Sequence, residues 1–242
     1  MADQKLDILA FGAHPDDVEI GCGGTLYKLA KAGYKTGIVD LTEGEMGTRG
    51  SVPERYQEAA DAAAVLNISY RQNLKMPDGG IEQTAGNRRQ IIDVIRSCRP
   101  SIVFVHYPED RHPDHPHTSQ LVTEACFYAG LKKVSPGNSA AHRPSRIVYY
   151  PITYEFTPSF LVDITEEFET KMQAIKAYRS QFYNPDYQGD ATLISSEEYM
   201  INFESRARHF GWRCGVKYAE PFWVREPVVL DDFVGSLTRN KM

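Results

Sequence analysis

Two short segments of the chain concentrate residues able to do metal and acid–base chemistry. The first is Gly12-Ala13-His14-Pro15-Asp16-Asp17, which packs one imidazole and two carboxylates into four residues. The second runs from His106 to His117 (HYPEDRHPDHPH) and holds four of the seven histidines, at 106, 112, 115 and 117. Zinc binds imidazole nitrogen and carboxylate oxygen, and a catalytic zinc keeps three protein ligands and one open position. Together the two segments can supply such a ligand set and still leave groups for proton transfer. Each has a plainer reading alone: an Asp ahead of a helix is a common N-cap, and a surface loop can carry histidines without chemistry. The pairing of the two, each directly after a strand, points to a site.

The elements that must position them follow from periodicity. Ile8–Ala13 reads as a buried strand, Gly21–Ala32 as a helix closed by Gly33, and Thr36–Leu41 as a second strand. Residues 42–52 form a loop with Gly44, Gly47 and Gly50, and Pro53–Leu66 is a helix with proline in its first turn. Asn87–Cys98 is a helix, Ser101–His106 a third strong strand, and Asp114–Leu131 a helix. Strands alternating with helices predict an α/β, Rossmann-like, mostly parallel sheet flanked by helices. Sites in such sheets lie at the carboxyl ends of the strands, where both segments fall. After Pro136 the pattern changes: Arg146–Ile152 and Phe160–Ile164 read as strands, Thr165–Gln181 and Ser195–Phe210 as helices, and the tail after Pro221 carries little signal. With no repeat or linker, a single domain over 1–242 is expected.

Composition narrows the function classes. With 242 residues, 27 Lys+Arg against 32 Asp+Glu, and a net charge of −5, the chain lacks the basic excess of a nucleic-acid binder. No stretch approaches the ~20 apolar residues of a membrane span. Cys22, Cys98, Cys126 and Cys214 are scattered, as small buried side chains of a reducing compartment are. The start of the chain has no leader pattern, so a cytoplasmic enzyme is expected. Gly21-Cys22-Gly23-Gly24 invites a dinucleotide-binding reading, but that fingerprint belongs at the strand–helix turn, which HPDD fills. No G-x-S-x-G elbow exists, and Cys22 has no histidine at a recognisable spacing. A metal-binding or scaffold protein is the non-enzymatic alternative; a spare Asp16 speaks against it, since structural zinc is closed by four ligands. Trp212, Trp223, Tyr149 and Tyr150 read as core or interface, Arg88 and Arg89 as a solvated helix face, and His142 and His209 as surface or structural residues.

AHPDD at 13–17 with HPDH at 112–115 resembles the PIG-L/LmbE-type zinc N-deacetylases. The resemblance extends to the strand ending in DLT, the Gly-rich loop with Arg, and MPDG at 76–79. DVEIGCGGTL and EMGTRG are similar to the N-acetylglucosaminyl-malate deacetylases of bacillithiol biosynthesis; Val18 separates Asp17 from Glu19, as in that branch. The resemblance implies one zinc per subunit, with ferrous iron as the alternative, held by His14, Asp17 and His115. It implies Asp16 as general base, His112 facing the oxyanion, Asp114 orienting His112, and Tyr199 near the oxyanion. It also implies a small acetylated amino-sugar substrate and Arg55 as a substrate-binding residue; Arg49, within the neighbouring glycine loop, is a second candidate, and both suit malyl carboxylates. Another N-acetylglucosamine sugar or a chitooligosaccharide is the alternative substrate. A homo-oligomer, often a hexamer in that branch, is implied as well.

Overall fold

The computed structural model describes residues 5–134 and 140–238; Pro136, where the sequence pattern changes, lies outside them. The sheet is organised around β1 (Ile8–Gly12), buried at every position. Its alternate side chains enter two cores: Ile8 and Ala10 one, Leu9 and Phe11 the other. A strand covered on both faces reads as a continuous apolar run, which is why β1, β2 (Thr36–Thr42) and β4 (Ile102–His106) are legible. The order is β3-β2-β1-β4-β5, with every pairing parallel. β3 is Tyr70–Met76 and β5 is Arg146–Tyr150.

One core takes Val18 and Leu26 of α1 (Asp17–Lys31), Ala59 and Ala62 of α2 (Val52–Val65), Phe168 of α5 (Phe168–Lys176) and Phe203 of α6 (Glu197–Cys214). The other takes Ile91 and Ile95 of α3 (Ala85–Cys98) with Leu121 and Val122 of α4 (Asp114–Ala129). β6 (Phe160–Asp163) and β7 (Ala219–Phe222) form a small antiparallel sheet. Trp223 then bridges to Tyr149 of β5, so the tail after Pro221 does carry structure. No helix among the described residues is long and apolar enough to cross a membrane.

The structure also refines the sequence reading. β3 is an edge strand with a half-buried, polar pattern (YRQNLKM), and that polarity concealed it. α1 starts at Asp17 rather than Gly21 and is broken at Cys22 (φ −146). The glycines there serve packing: a Cβ at Gly21 would come 2.1 Å from the Tyr150 ring, and one at Gly24 2.9 Å from Ile164. The freed amides of Gly24 and Thr25 donate to the buried Glu220 carboxylate at 3.0 and 2.7 Å. The helix expected over Thr165–Gln181 ends at Lys176, after which a turn directs Tyr178, Ser180 and Gln181 inward. Trp212 is 80% exposed, whereas Tyr149 and Tyr150 are buried as expected.

Candidate active site

β1 and β4 lie side by side, and each ends in one of the two motif segments. α1 and α4 leave these strand ends toward opposite cores, which opens a crevice at the carboxyl edge. From β1 the chain turns through His14, Pro15 and Asp16 into Asp17, the first residue of α1. From β4 it passes from His106, the last strand residue, through a loop to Asp114 and His115 in the first turn of α4.

Three imidazoles surround the Asp17 carboxylate. Oδ1 lies 3.3 Å from His115 Nε2; Oδ2 lies 3.4 Å from His14 Nδ1 and 3.2 Å from His106 Nε2. The His14 amide also donates to Oδ2 at 2.8 Å. Asp110 Oδ1 meets His115 Nδ1 at 2.9 Å, while Asp110 Oδ2 accepts the Thr153 amide at 2.7 Å. This fixes the ring with Nε2 toward Asp17, as carboxylates behind metal-binding histidines do. His14 Nε2 is placed likewise, 3.0 Å from Asp78 Oδ1 and 3.5 Å from Asp114 Oδ2.

Burial would raise the Asp17 pKa, but the facing His115 and His106 hold it well below the usual carboxylate range. Burial would lower His115, yet Asp17 and Asp110 lift it to about 9. His14 is also raised despite burial, by Asp114, Asp17 and Asp78. His106, which burial and His115 depress to about 4, stays neutral. Its Nδ1 is buried without a hydrogen-bond partner among the described residues.

The donor set fits a divalent ion. Three overlapping groups keep their ligand atoms within 4.8 Å of one another: Asp17, His106 and His115; His14, His112 and His115; and His14, Asp78 and Asp114. Among the described residues no lysine or arginine pairs with Asp17, so a buried carboxylate and lone-pair nitrogens converge without a permanent cation. The protons that His14 and His115 would otherwise hold are those a metal displaces.

Beside this set opens a cleft of about 1060 Å³, solvent included, whose wall includes Asp16, Arg55, Arg111, His112 and Tyr199. Asp16 is buried, and burial raises its carboxyl to about 7; Arg55 opposes the shift and Asp17 reinforces it. The His112 ring is solvent-facing. Even so, desolvation by the packed cleft wall, then repulsion from His14 and His115, keeps it below the usual imidazole range. Its Nδ1 accepts the Asp114 amide at 3.3 Å, so the neutral ring carries its proton on Nε2. Tyr199 enters from the first turn of α6, which Ser196 caps.

The structure thus gathers His14, Asp16, Asp17, His112, His115, Tyr199 and Arg55 around one cleft. Asp114 meets His112 through its amide; its carboxylate serves the Gly79 amide (2.8 Å) and His14. Arg49 is not on the cleft wall. It donates to the Ser180 and Asp190 carbonyls and lies 4.5 Å over the Tyr187 ring. Sequence reasoning assigned no role to His106, Asp78, Asp110 or Arg111. His106 and Arg111 lie within the histidine-rich segment and Asp78 within MPDG, so the signal was present but not resolved into single residues.

Known proteins resemble this chain in sequence and in fold. Residues 9–126, from β1 into α4, match the family described as "PIG-L: GlcNAc-PI de-N-acetylase". A diacetylchitobiose deacetylase of Thermococcus kodakarensis is 31% identical over 227 residues, spanning 88% of this chain and 80% of that one. A probable N-acetyl-alpha-D-glucosaminyl L-malate deacetylase 2 of Bacillus cereus is 26% identical over 187 residues, spanning 72% and 83%. Among solved structures, a conserved protein of Thermus thermophilus superposes with a TM-score of 0.86 at 38% identity, covering 94% of this chain and 98% of that chain.

Proposed function

Because the chain belongs to the PIG-L family of de-N-acetylases, we propose that it is a metal-dependent hydrolase that removes the acetyl group from an N-acetylglucosamine conjugate. The observation that carries this reading is Asp16. It is a buried carboxylate beside the His14–Asp17–His115 set, engaged by Arg55 rather than by the histidines. Zinc is the metal we propose, with ferrous iron the alternative for the same donors. A bound divalent ion supplies Lewis acidity toward the amide oxygen and acidifies water.

The chain's own residues supply the rest. Asp16 takes a proton from the attacking water, whose oxygen adds to the acetamide carbon. His112, neutral with its proton on Nε2, donates to the developing oxyanion; one such donor is worth about 2.7–4 kcal/mol in other hydrolases. Tyr199, on the same wall, supports it. The C–N bond then breaks, and the proton held by Asp16 passes to the leaving nitrogen, giving acetate and a free amine. Asp110 fixes His115 from behind. The whole chain, 1–242, is read as one deacetylase domain, since the second half contributes Tyr199 and the wall behind Arg55.

For the substrate we propose a malate-linked N-acetylglucosamine. The Bacillus cereus relative supports it, as does the exposed Arg111 on the cleft wall. The higher identity to the Thermococcus enzyme favours a chitooligosaccharide as the second reading. Turnover of N-acetylglucosaminyl-malate, diacetylchitobiose and N-acetylglucosamine side by side decides between them. A kcat/KM highest on the malate conjugate is expected; a preference for the disaccharide removes the malate assignment, and no turnover of any removes the deacetylase reading. A homo-oligomer is part of the same proposal. The exposed Val229, Phe233, Val234 and Leu237 offer apolar surface for it, and light scattering showing a monomer rejects it.

A further inference from the structure

Asp16 has a backbone unlike any other residue described. Its φ is 120 and its ψ is −26. The other non-glycine residues at positive φ, Asn67, Lys75 and Arg99, sit between 48 and 55, within the ordinary left-handed basin. A conformation so rarely adopted persists only where the surroundings over-determine it. The Ile20 amide donates to the Asp16 carbonyl at 3.0 Å, but that bond is an ordinary helical start and does not impose the strain.

The Asp17 amide, which leaves Asp16, donates to the His14 carbonyl at 3.3 Å and closes the turn, and a further constraint comes from one guanidinium. Arg55 Nη2 donates to the carbonyl of Pro15, the peptide that enters Asp16, at 2.5 Å, and lies 3.3 Å from Asp16 Oδ2. Arg55 Nη1 donates to Gln181 Oε1 at 3.1 Å. Gln181 is itself fixed, since its Nε2 donates to Arg49 O at 2.6 Å and to Ser180 Oγ at 2.8 Å. Glu58 holds the Ser180 amide and hydroxyl at 2.7 and 2.8 Å. From the other side Gly44, at φ +68, lies so close that a Cβ there would come 2.8 Å from Arg55 Cζ. Arg55 is 5% exposed. Its position is set by α2, the glycine loop and the turn after α5, before any substrate arrives.

We propose that Arg55 is the positioning residue of the general base. Its guanidinium, anchored by Gln181, holds the Pro15–Asp16 peptide and Asp16 Oδ2, so that Oδ1 is the oxygen presented to the cleft. Among the described residues Oδ1 has no hydrogen-bond partner of its own. The planar fork is what lets one side chain grip a carbonyl and a carboxylate while a third acceptor anchors it; an ammonium cannot reproduce that. On this account Arg111, which has no hydrogen-bond partner among the described residues, is left as the cleft cation for a substrate carboxylate. The proposal rests on the deacetylase reading for its kinetic consequence but not for its structural one.

The test pairs kinetics with a structure. kcat, KM and metal content are measured for the wild type, Arg55→Ala, Arg55→Lys and Gln181→Ala on the three acetylated sugars, with and without methylguanidinium. Misplacing a catalytic group by about 1 Å costs on the order of 10²-fold. Arg55→Ala is therefore expected to lose about that much kcat with KM nearly unchanged and full metal retained. Methylguanidinium should restore part of it, Arg55→Lys should stay low, and Gln181→Ala should lose less in the same direction. A rise in KM with kcat retained assigns Arg55 to substrate binding and overturns the proposal, as does a kcat loss that methylguanidinium does not relieve. If Arg55→Ala does not fold, Gln181→Ala and Gly44→Ala decide by the same split, and an unchanged kcat in both overturns it. A crystal structure of metal-loaded Arg55→Ala, or of Gln181→Ala in its place, is expected to show Asp16 relaxed away from φ near +120. An unchanged Asp16 overturns the proposal whatever the substrate, so its failure is distinct from absent turnover by the wild type.

Discussion

Two buried clusters of charge sit at the carboxyl edge of the same sheet, both fed by α1, and they are completed in opposite ways. In the first, Asp17 is surrounded by His14, His106 and His115 with no arginine or lysine paired to it among the described residues. In the second, Glu19 and Asp40 share Arg71. The guanidinium takes both Asp40 oxygens at 2.9 and 3.0 Å and Glu19 Oε1 at 2.7 Å, and Tyr178 donates to the same Glu19 oxygen at 2.9 Å. Burying carboxylates is costly unless a cation and hydrogen bonds compensate. The second cluster carries its cation on β3, and Glu19 Oε2 is its one carboxylate oxygen without a hydrogen-bond partner among the described residues. The first offers lone pairs instead, which is the arrangement a divalent ion completes. Within two residues along α1, a buried carboxylate thus passes from chemistry at Asp17 to architecture at Glu19.

The largest effect expected from breaking this contrast is at the base beside the open cluster. Asp16→Asn should lower kcat by about 10²–10⁴-fold, the range for general acid–base groups, with metal content unchanged. Joint loss of metal and activity would make Asp16 a ligand. The same carboxyl sets a pH dependence. Burial lifts it to about 7, with Arg55 opposing and Asp17 reinforcing, and the base works ionised. Activity therefore falls as pH drops through that pKa, and a neighbouring divalent ion, by favouring the carboxylate, places the limb at or below about 7. In Asp16→Asn the acid limb of the residual rate should vanish; its persistence would assign the limb elsewhere.

At the closed cluster the effect is on folding. Arg71→Ala strands two buried carboxylates and should cost about 3–5 kcal/mol of stability, read by urea denaturation, while the folded protein still binds its metal. A loss within experimental error would mean the network is relaxed by water. Smaller again is Asp110→Asn, which keeps the shape behind His115 but removes the charge. Metal affinity should drop about 10–100-fold by competition with a chelator, and an unchanged affinity would leave His115 oriented by packing alone.

The open cluster was more legible in the sequence than the closed one. His14, Asp16, Asp17 and the histidine-rich segment are dense, polar and placed after apolar strands, so composition and periodicity single out both segments, and the family resemblance then picks His112 and His115 within the second. His106 was harder, because whether the last residue of a strand faces the site depends on a register that one residue reverses. Asp78 reaches His14 across 64 positions and Asp110 acts through a loop, so MPDG and the histidine-rich segment contain them without showing which partner each meets. β3 escaped notice because Arg71, Gln72 and Asn73 occupy a half-buried edge. Arg71, which closes the second cluster, escaped with it. Arg49 shows the reverse: proximity to the motif in sequence suggested the cleft, yet the glycine loop turns its side chain onto Tyr187 and Ser180.

The central claim is that the histidine-ringed cluster holds the catalytic metal and the arginine-closed cluster holds none. Anomalous diffraction at the zinc edge, on crystals of chelated protein reconstituted with one equivalent of zinc, tests it directly. The account predicts one peak within bonding distance of His14, Asp17 and His115, none beside Glu19 and Asp40, and turnover restored in the same sample. A peak elsewhere, or full turnover by the chelated protein before zinc is returned, would contradict it.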